Sequence, residues 1–227
     1  MGSACQKGVT DISFDAFFFD FDGVLAESTP IKIQAFLSLY AEYEPEVREK
    51  VRTYALGGEG ISRVEKIREA HLKFLGIDLN DDELGVIVQR YSSLVVDAVV
   101  KCDWVPGAKA FLDAHAGHTP MFVISGTPQD EMRAIAERRG MSDYFVSVRG
   151  SPPRKPPIFR ELLDRHSLSA QRTLYVGDAI FDYHSAREVG LPFVGRITHG
   201  EQSPFPEGTR TIHDLTKLPD LIAAGGF

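Results

Sequence analysis

Residues 15–25 read DAFFFDFDGVL. Four consecutive apolar residues, Ala16 to Phe19, run straight into Asp20, with Asp22 two positions on and Gly23 next. An unbroken apolar run suits a strand covered on both faces, as in a parallel sheet. Neutral turn residues normally close such a strand. Two carboxylates at its mouth must hold something or do something.

Working outward, four more runs have the same character: PMFVIS (120–125), YFVSV (144–148), TLYVG (173–177) and PFVGRI (192–197), with FDAFFF (14–19) the first of five expected strands. Helical segments alternate with the later four. Pro128–Arg139 opens on a proline and stops at Gly140, Ala179–Val189 stops at Gly190, and Pro157–His166 lies between them. Alternation of this kind predicts an α/β fold, a parallel sheet with right-handed crossovers.

The interval 26–104 breaks that rhythm. It has no strand-like run but a strong helical period. Ile61, Val64, Ile67, His71 and Phe74/Leu75 fall on one face, and Leu84, Ile87, Val88, Tyr91, Leu94, Val95 and Ala98 on another. An inserted all-helical unit over 26–104 is expected to pack on itself, with the core domain formed by 1–25 and 105–227. The flanks GVLAESTP and CDWVPGA carry Gly and Pro and read as hinge-like linkers.

The 227 residues are 43% hydrophobic and 25% charged, enough for a full core, and the net charge is -7. That charge disfavours nucleic acid and anionic lipid as partners. Only two cysteines occur, Cys5 and Cys102, so no disulfide framework or metal-ligand spacing is present. No stretch has the length of a membrane span or of a signal-peptide core, and the expectation is a cytoplasmic monomer or weak dimer.

Ligands of an open parallel sheet bind beyond the carboxyl ends of its strands. Asp20 ends the first expected strand, Ser125 (with Gly126 and Thr127) the second, and Asp178 the fourth, while Lys155 follows the third. Each has an ordinary structural reading alone: Asp178 as a helix cap, Ser125 as a turn residue, Lys155 as a surface lysine, Asp22 as turn chemistry. Together they describe a phosphoryl-transfer site. Asp20 and Asp178 at neighbouring strand ends repel unless a cation lies between them, and oxygen ligands suit Mg2+. Asp182 lies one helical turn after Asp178, on the same side. Asp20 is then placed to attack phosphorus, and Asp22 to protonate the leaving alcohol and later deprotonate water. Ser125, Lys155 and N–H groups near Phe21, Asp22 and Gly126 would bind phosphoryl oxygens.

In this combination the chain resembles the haloacid dehalogenase (HAD) superfamily. Its four motifs stand here in order as DFDGV (20–24), VISGT (123–127), RKPP (154–157) and GDAIFD (177–182). The resemblance implies a Rossmann-like core and a mobile helical cap of the C1 type over the interval 26–104. It implies Asp20 as nucleophile, Asp22 as acid/base, Ser125 and Lys155 as phosphate-binding, and Asp178 and Asp182 as Mg2+ residues. The Asp22 backbone carbonyl is a further metal ligand in such proteins. The family's dehalogenases lack the second aspartate of the first motif, so Asp22 argues against dehalogenation.

The expected activity is Mg2+-dependent hydrolysis of a small phosphorylated metabolite, of the phosphoglycolate or sugar-phosphate class. A β-phosphoglucomutase-type phosphomutase uses the same residues and stands as the alternative, and a non-catalytic phosphate-binding protein as a remote one. In capped members the cap reads the leaving group. The candidate segment is YALGGEGISRVEK (54–66), with Arg63 and Lys66 on its helix and Glu27 just past the first motif. His184 reads as a helix-surface residue and Trp104 as packing for the linker.

Overall fold

The computed structural model describes residues 14–56 and 62–225. Six strands form one sheet in the order β3-β2-β1-β4-β5-β6: β1 (Ala16–Phe19), β2 (Met121–Pro128), β3 (Ser147–Ser151), β4 (Thr173–Gly177), β5 (Phe193–Arg196) and β6 (Thr211–Ile212). All five pairings are parallel. β1 lies at the centre, with Phe19 level with Val123 on one side and Val176 on the other. The chain leaves β1 for β2 on one side and reaches β4 on the other, which makes the carboxyl end of β1 the switch point of the sheet.

Alternation along β1 sends its side chains to two separate cores. Phe17 and Phe19 join Val123, Leu174 and Val176 beneath α5 (Ala108–His115) and α6 (Gln129–Arg138). Ala16 and Phe18 join Phe122, Ile124 and Tyr175 beneath α7 (Lys155–Arg165) and α8 (Ile180–Val189). With both faces covered, the continuous apolar runs are accounted for.

Several expected boundaries move, among them the second strand, which runs to Pro128 rather than ending at Ser125. The third strand stands at Ser147–Ser151 rather than 144–148, because Ser142–Tyr144 forms a 3-10 turn and Phe145 is drawn into the core. β3 is an edge strand and tolerates Arg149 and Gly150. α7 begins at Lys155, two residues earlier than expected, with its prolines in the first turn where a missing N–H costs nothing. β6, at two residues, is too short to leave a periodic signal.

Between β1 and β2 lie α1 (Thr29–Ser38), α2 (Pro45–Leu56), α3 (Arg63–Ala70) and α4 (Asp81–Lys101). Reciprocal capping boxes start α3 (Ser62 with Glu65) and α4 (Asn80 with Glu83). α3 continues as a π-helical turn, His71–Leu75, and ends at Gly76, whose φ of +69° favours glycine. Most of the expected apolar face of this segment packs inward, Phe74 and Leu75 included, with Val64 the exception among the described residues. Arg63, Ile67, Ala70 and His71 are buried, whereas Val64 is 37% exposed, and Ile61 lies outside the described residues. On α4, Leu84, Tyr91, Val95 and Val99 are buried and Leu94 is exposed.

These helices pack on one another, and their apolar cluster runs on without a break into the sheet face of Phe17 and Phe19. The two linkers pair, Glu27 N–H to Asp103 C=O at 2.9 Å and Val105 N–H to Leu25 C=O at 3.1 Å. Trp104 packs there under the Arg139 guanidinium, 5.0 Å from its ring centre. Among the described residues no helix is long and apolar enough to cross a membrane.

Candidate active site

Asp20 leaves β1 at the switch point, its N–H bound to Val176 C=O at 2.9 Å and its side chain almost wholly buried. β2 brings Ser125 and Thr127 to one side of it and β4 brings Asp178 to the other. Lys155, the first residue of α7, is buried. Its ammonium lies 3.1 Å from Asp20 Oδ1 and 2.5 Å from Asp182 Oδ1, and donates to the Tyr175 hydroxyl at 3.0 Å. The site therefore joins Asp20, Asp22, Ser125, Lys155, Asp178 and Asp182. A small pocket beside them is lined by Ser125, Gly126 and Lys155 from the core and by Ser62 and Glu65 from the helical segment.

Asp182 is held from four directions. Oδ1 accepts from Lys155 and from the Tyr175 hydroxyl at 2.7 Å, and Oδ2 accepts from the N–H groups of Asp178 at 3.2 Å and Ala179 at 3.1 Å. Gly23, at φ +68°, passes so close to the Asp178 carboxylate that any side chain there would collide with it. The Asp22 carboxylate accepts from Ser28 Oγ on Oδ1 at 2.5 Å. On Oδ2 it meets Lys32 Nζ at 2.5 Å and Thr127 Oγ1 at 3.3 Å, with Ser125 Oγ at 3.5 Å.

The two aspartates of the first motif sit in opposite fields. Burial raises the Asp20 carboxyl, Lys155 opposes that rise, and Asp182 and Asp22 add to it, leaving Asp20 at about 7. Asp178 is likewise held well above the usual carboxylate range by burial and by Asp20 and Asp182. Burial also pushes Asp22 upward, but Lys32, Ser28 and Arg63 outweigh it and hold Asp22 below its ordinary value.

Asp20, Asp178 and Asp182 form a cluster whose nearest ligand atoms lie within 4.8 Å of one another. Asp20 Oδ1 is buried without a well-aligned hydrogen bond and lies 3.1 Å from the Lys155 ammonium. A buried, under-satisfied oxygen among mutually repelling carboxylates is what a hard divalent cation complements, so these residues fit a metal site.

The candidates for reading the leaving group are distributed differently. Arg63 is buried and doubly bound to Glu131 on α6, with Ser92 Oγ at 2.6 Å and the Tyr91 ring beneath it. It remains near enough to Asp22 to act on its charge. Lys66 turns into the helical segment, donating to Ala55 C=O at 3.2 Å beside the Phe36 and Tyr54 rings. Glu27 is gripped by the buried Arg196, which also donates to Gly23 C=O and thereby ties the first motif to β5. Gly57, Gly58 and Gly60 lie outside the described residues. Arg154 is exposed and pairs with Glu65 at 3.3 Å, and His184 is exposed on α8.

Sequence reasoning passed over Lys32, Tyr175, Glu131 and Arg196. Tyr175 carried a faint signal, a polar tip inside a buried strand two residues before Gly177. The others reach the site by tertiary packing alone.

The sequence profile of the haloacid dehalogenase-like hydrolase family matches residues 17–196. Phosphoglycolate phosphatase of Rhodobacter capsulatus is 27% identical over 220 residues, 91% of this chain and 96% of that protein. That of Rhodospirillum rubrum is 29% identical over 188 residues, covering 79% and 78%. Among solved structures, a predicted phosphoglycolate phosphatase from Haemophilus somnus 129PT superposes with a TM-score of 0.71 at 21% identity, covering 94% of this chain and 99% of that one. CbbY from Rhodobacter sphaeroides in complex with phosphate gives 0.70 at 19% identity, covering 90% and 96%. The parallel sheet with acids and a lysine at its switch point, matched along most of its length, defines the class. The chain belongs to the haloacid dehalogenase-like hydrolase family, and within it is a phosphatase-type enzyme.

Proposed function

We propose that this protein hydrolyses a small phosphomonoester of the phosphoglycolate or sugar-phosphate class, with Mg2+ as cofactor and an aspartyl-phosphate intermediate on Asp20. The observation that carries the reading is the buried Asp20 at the end of β1, 3.1 Å from Lys155 and clustered with Asp178 and Asp182, with Asp22 two residues on. Relatives named phosphoglycolate phosphatase, aligned over most of both chains, support the substrate class.

In this reading Asp20 attacks phosphorus as its carboxylate, and Asp22, ionised while Lys32 holds it, takes up a proton from solvent as that contact yields and gives it to the departing alcohol. Asp22 then takes a proton from the water that opens the acyl-phosphate. Lys155, Ser125 and the Gly126 N–H bind the phosphoryl oxygens. Asp20, Asp178 and the Asp22 backbone carbonyl would hold Mg2+ directly, with Asp182 acting through water because four donors already occupy its oxygens. When bound, the ion offsets the charge of the phosphoryl oxygens and of the acid cluster. Residues 26–104 form the cap and 1–25 with 105–227 the core.

Phosphate release from phosphoglycolate, sugar phosphates and nucleotides, with Mg2+ or with chelator, tests the proposal, with Asp20→Asn as control. Glucose 1-phosphate in the panel registers isomerisation. Selective, Mg2+-dependent release that the variant lacks is expected. A folded protein silent on every ester refutes it.

A further inference from the structure

Lys32 lies on α1, in the helical segment, yet its ammonium reaches into the core site. It donates to Asp22 Oδ2 at 2.5 Å and to Thr127 Oγ1 at 2.6 Å. Lys32 and Asp22 each keep 18% of their side-chain exposure, so the pair stands at the mouth of the site.

To serve the reaction, Asp22 must meet the ester oxygen of the departing alcohol, but both of its carboxylate oxygens are already engaged. One donor must yield. Ser28 is fully buried and Thr127 is fixed in β2. Lys32 has the long flexible stem, so it is the donor that swings aside. At the mouth of the site, an ammonium drawn off its carboxylate is open to an incoming anion. Thr127, the second hydrogen-bond partner of Lys32 here, is neutral, and Glu131 is committed to Arg63. Arg63, the other cation acting on Asp22, is itself neutralised by that pairing. Lys32 starts one hydrogen bond from the carboxylate that touches the ester oxygen. A charged group on the adjacent carbon therefore falls within its reach.

We propose that Lys32 is a specificity-determining residue that receives a carboxylate on the leaving group, so that the site selects phosphomonoesters of short hydroxy acids over esters of neutral alcohols. This rests on the phosphatase reading above and names the part of the chain that reads the leaving group.

The test compares kcat/KM for 2-phosphoglycolate and ethyl phosphate, esters of equal carbon number, in the native protein, Lys32→Met and Lys32→Arg, with Mg2+ present. p-Nitrophenyl phosphate reports general turnover, and thermal melts report folding. The native protein should favour phosphoglycolate. Lys32→Met should reduce that preference by about 10- to 100-fold, the range of one charge-assisted hydrogen bond, chiefly through KM. Lys32→Arg should retain most of it. An unchanged ratio in Lys32→Met, however far both rates fall, overturns the inference, because Lys32 would then serve Asp22 alone. Native preference for ethyl phosphate overturns it as well. Silence of the native protein on all three esters overturns the phosphatase reading itself, and this inference with it.

Discussion

Arg63 of α3 and Glu131 of α6 form a two-point ion pair between the helical segment and the sheet domain, with Nη2 2.5 Å from Oε1 and Nη1 2.7 Å from Oε2. Their side chains are only 7% and 11% exposed. Such a pair adds little over an apolar contact, but breaking it strands a buried charge. Arg63→Ala should lower the unfolding free energy by about 3 kcal/mol, and Glu131→Ala similarly. The double variant should lose less than the sum. A urea-denaturation double-mutant cycle checks this, and strict additivity would contradict the pairing.

Gly23 turns the first motif past the Asp178 carboxylate. Ala there must adopt φ +68° and displace the Asp178 carboxylate. Gly23→Ala should cost about 1–2 kcal/mol from the backbone alone. It should also weaken Mg2+ binding measured by calorimetry. Unaltered Mg2+ affinity would show that Asp178 is not part of the metal site.

The acid cluster makes a pH-dependent prediction for the metal-free protein. Asp20 is raised from 3.8 to about 7 by folding, chiefly through burial, so the native state binds more protons than the unfolded state between those values. Stability must then fall as pH rises from about 4 to about 7, by a few kcal/mol from this group. Asp22, whose carboxyl is lowered, contributes in the opposite sense and loses its contribution as pH drops below the ordinary carboxylate range. Melting in chelator at pH 5 and pH 8, each repeated with Mg2+, should show a larger stabilisation by Mg2+ at pH 8. Equal stabilisation at both would contradict it.

Asp22→Asn separates the two aspartate roles. It should lower kcat/KM, which reports only the steps through departure of the alcohol, by about 10^2- to 10^4-fold for alkyl phosphates, since their alcohols need a proton to depart. The loss should be much smaller for p-nitrophenyl phosphate, whose leaving group departs as an anion. Asp20→Asn should abolish turnover of both. Equal losses of kcat/KM across leaving groups for Asp22→Asn would remove Asp22 from protonating the departing alcohol.

Sequence alone determined the α/β class, because strands buried on both faces must be continuously apolar, and AFFF and TLYVG could be little else. It also placed Asp20 and Asp178 directly after their strands, whereas Ser125 lies inside β2, which runs on to Pro128. Lys155 was legible as a motif residue, but its burial in the first turn of α7 was not. What only the tertiary structure decided is which polar side chains share a field. Arg63 and Glu131 are 68 residues apart and Lys32 and Thr127 are 95 apart, and no periodicity connects them. The exposure of Val64 and the burial of Arg63 on α3 have the same origin. Local patterns report how much of a helix is covered, whereas its partners depend on how helices from distant parts of the chain meet across the site.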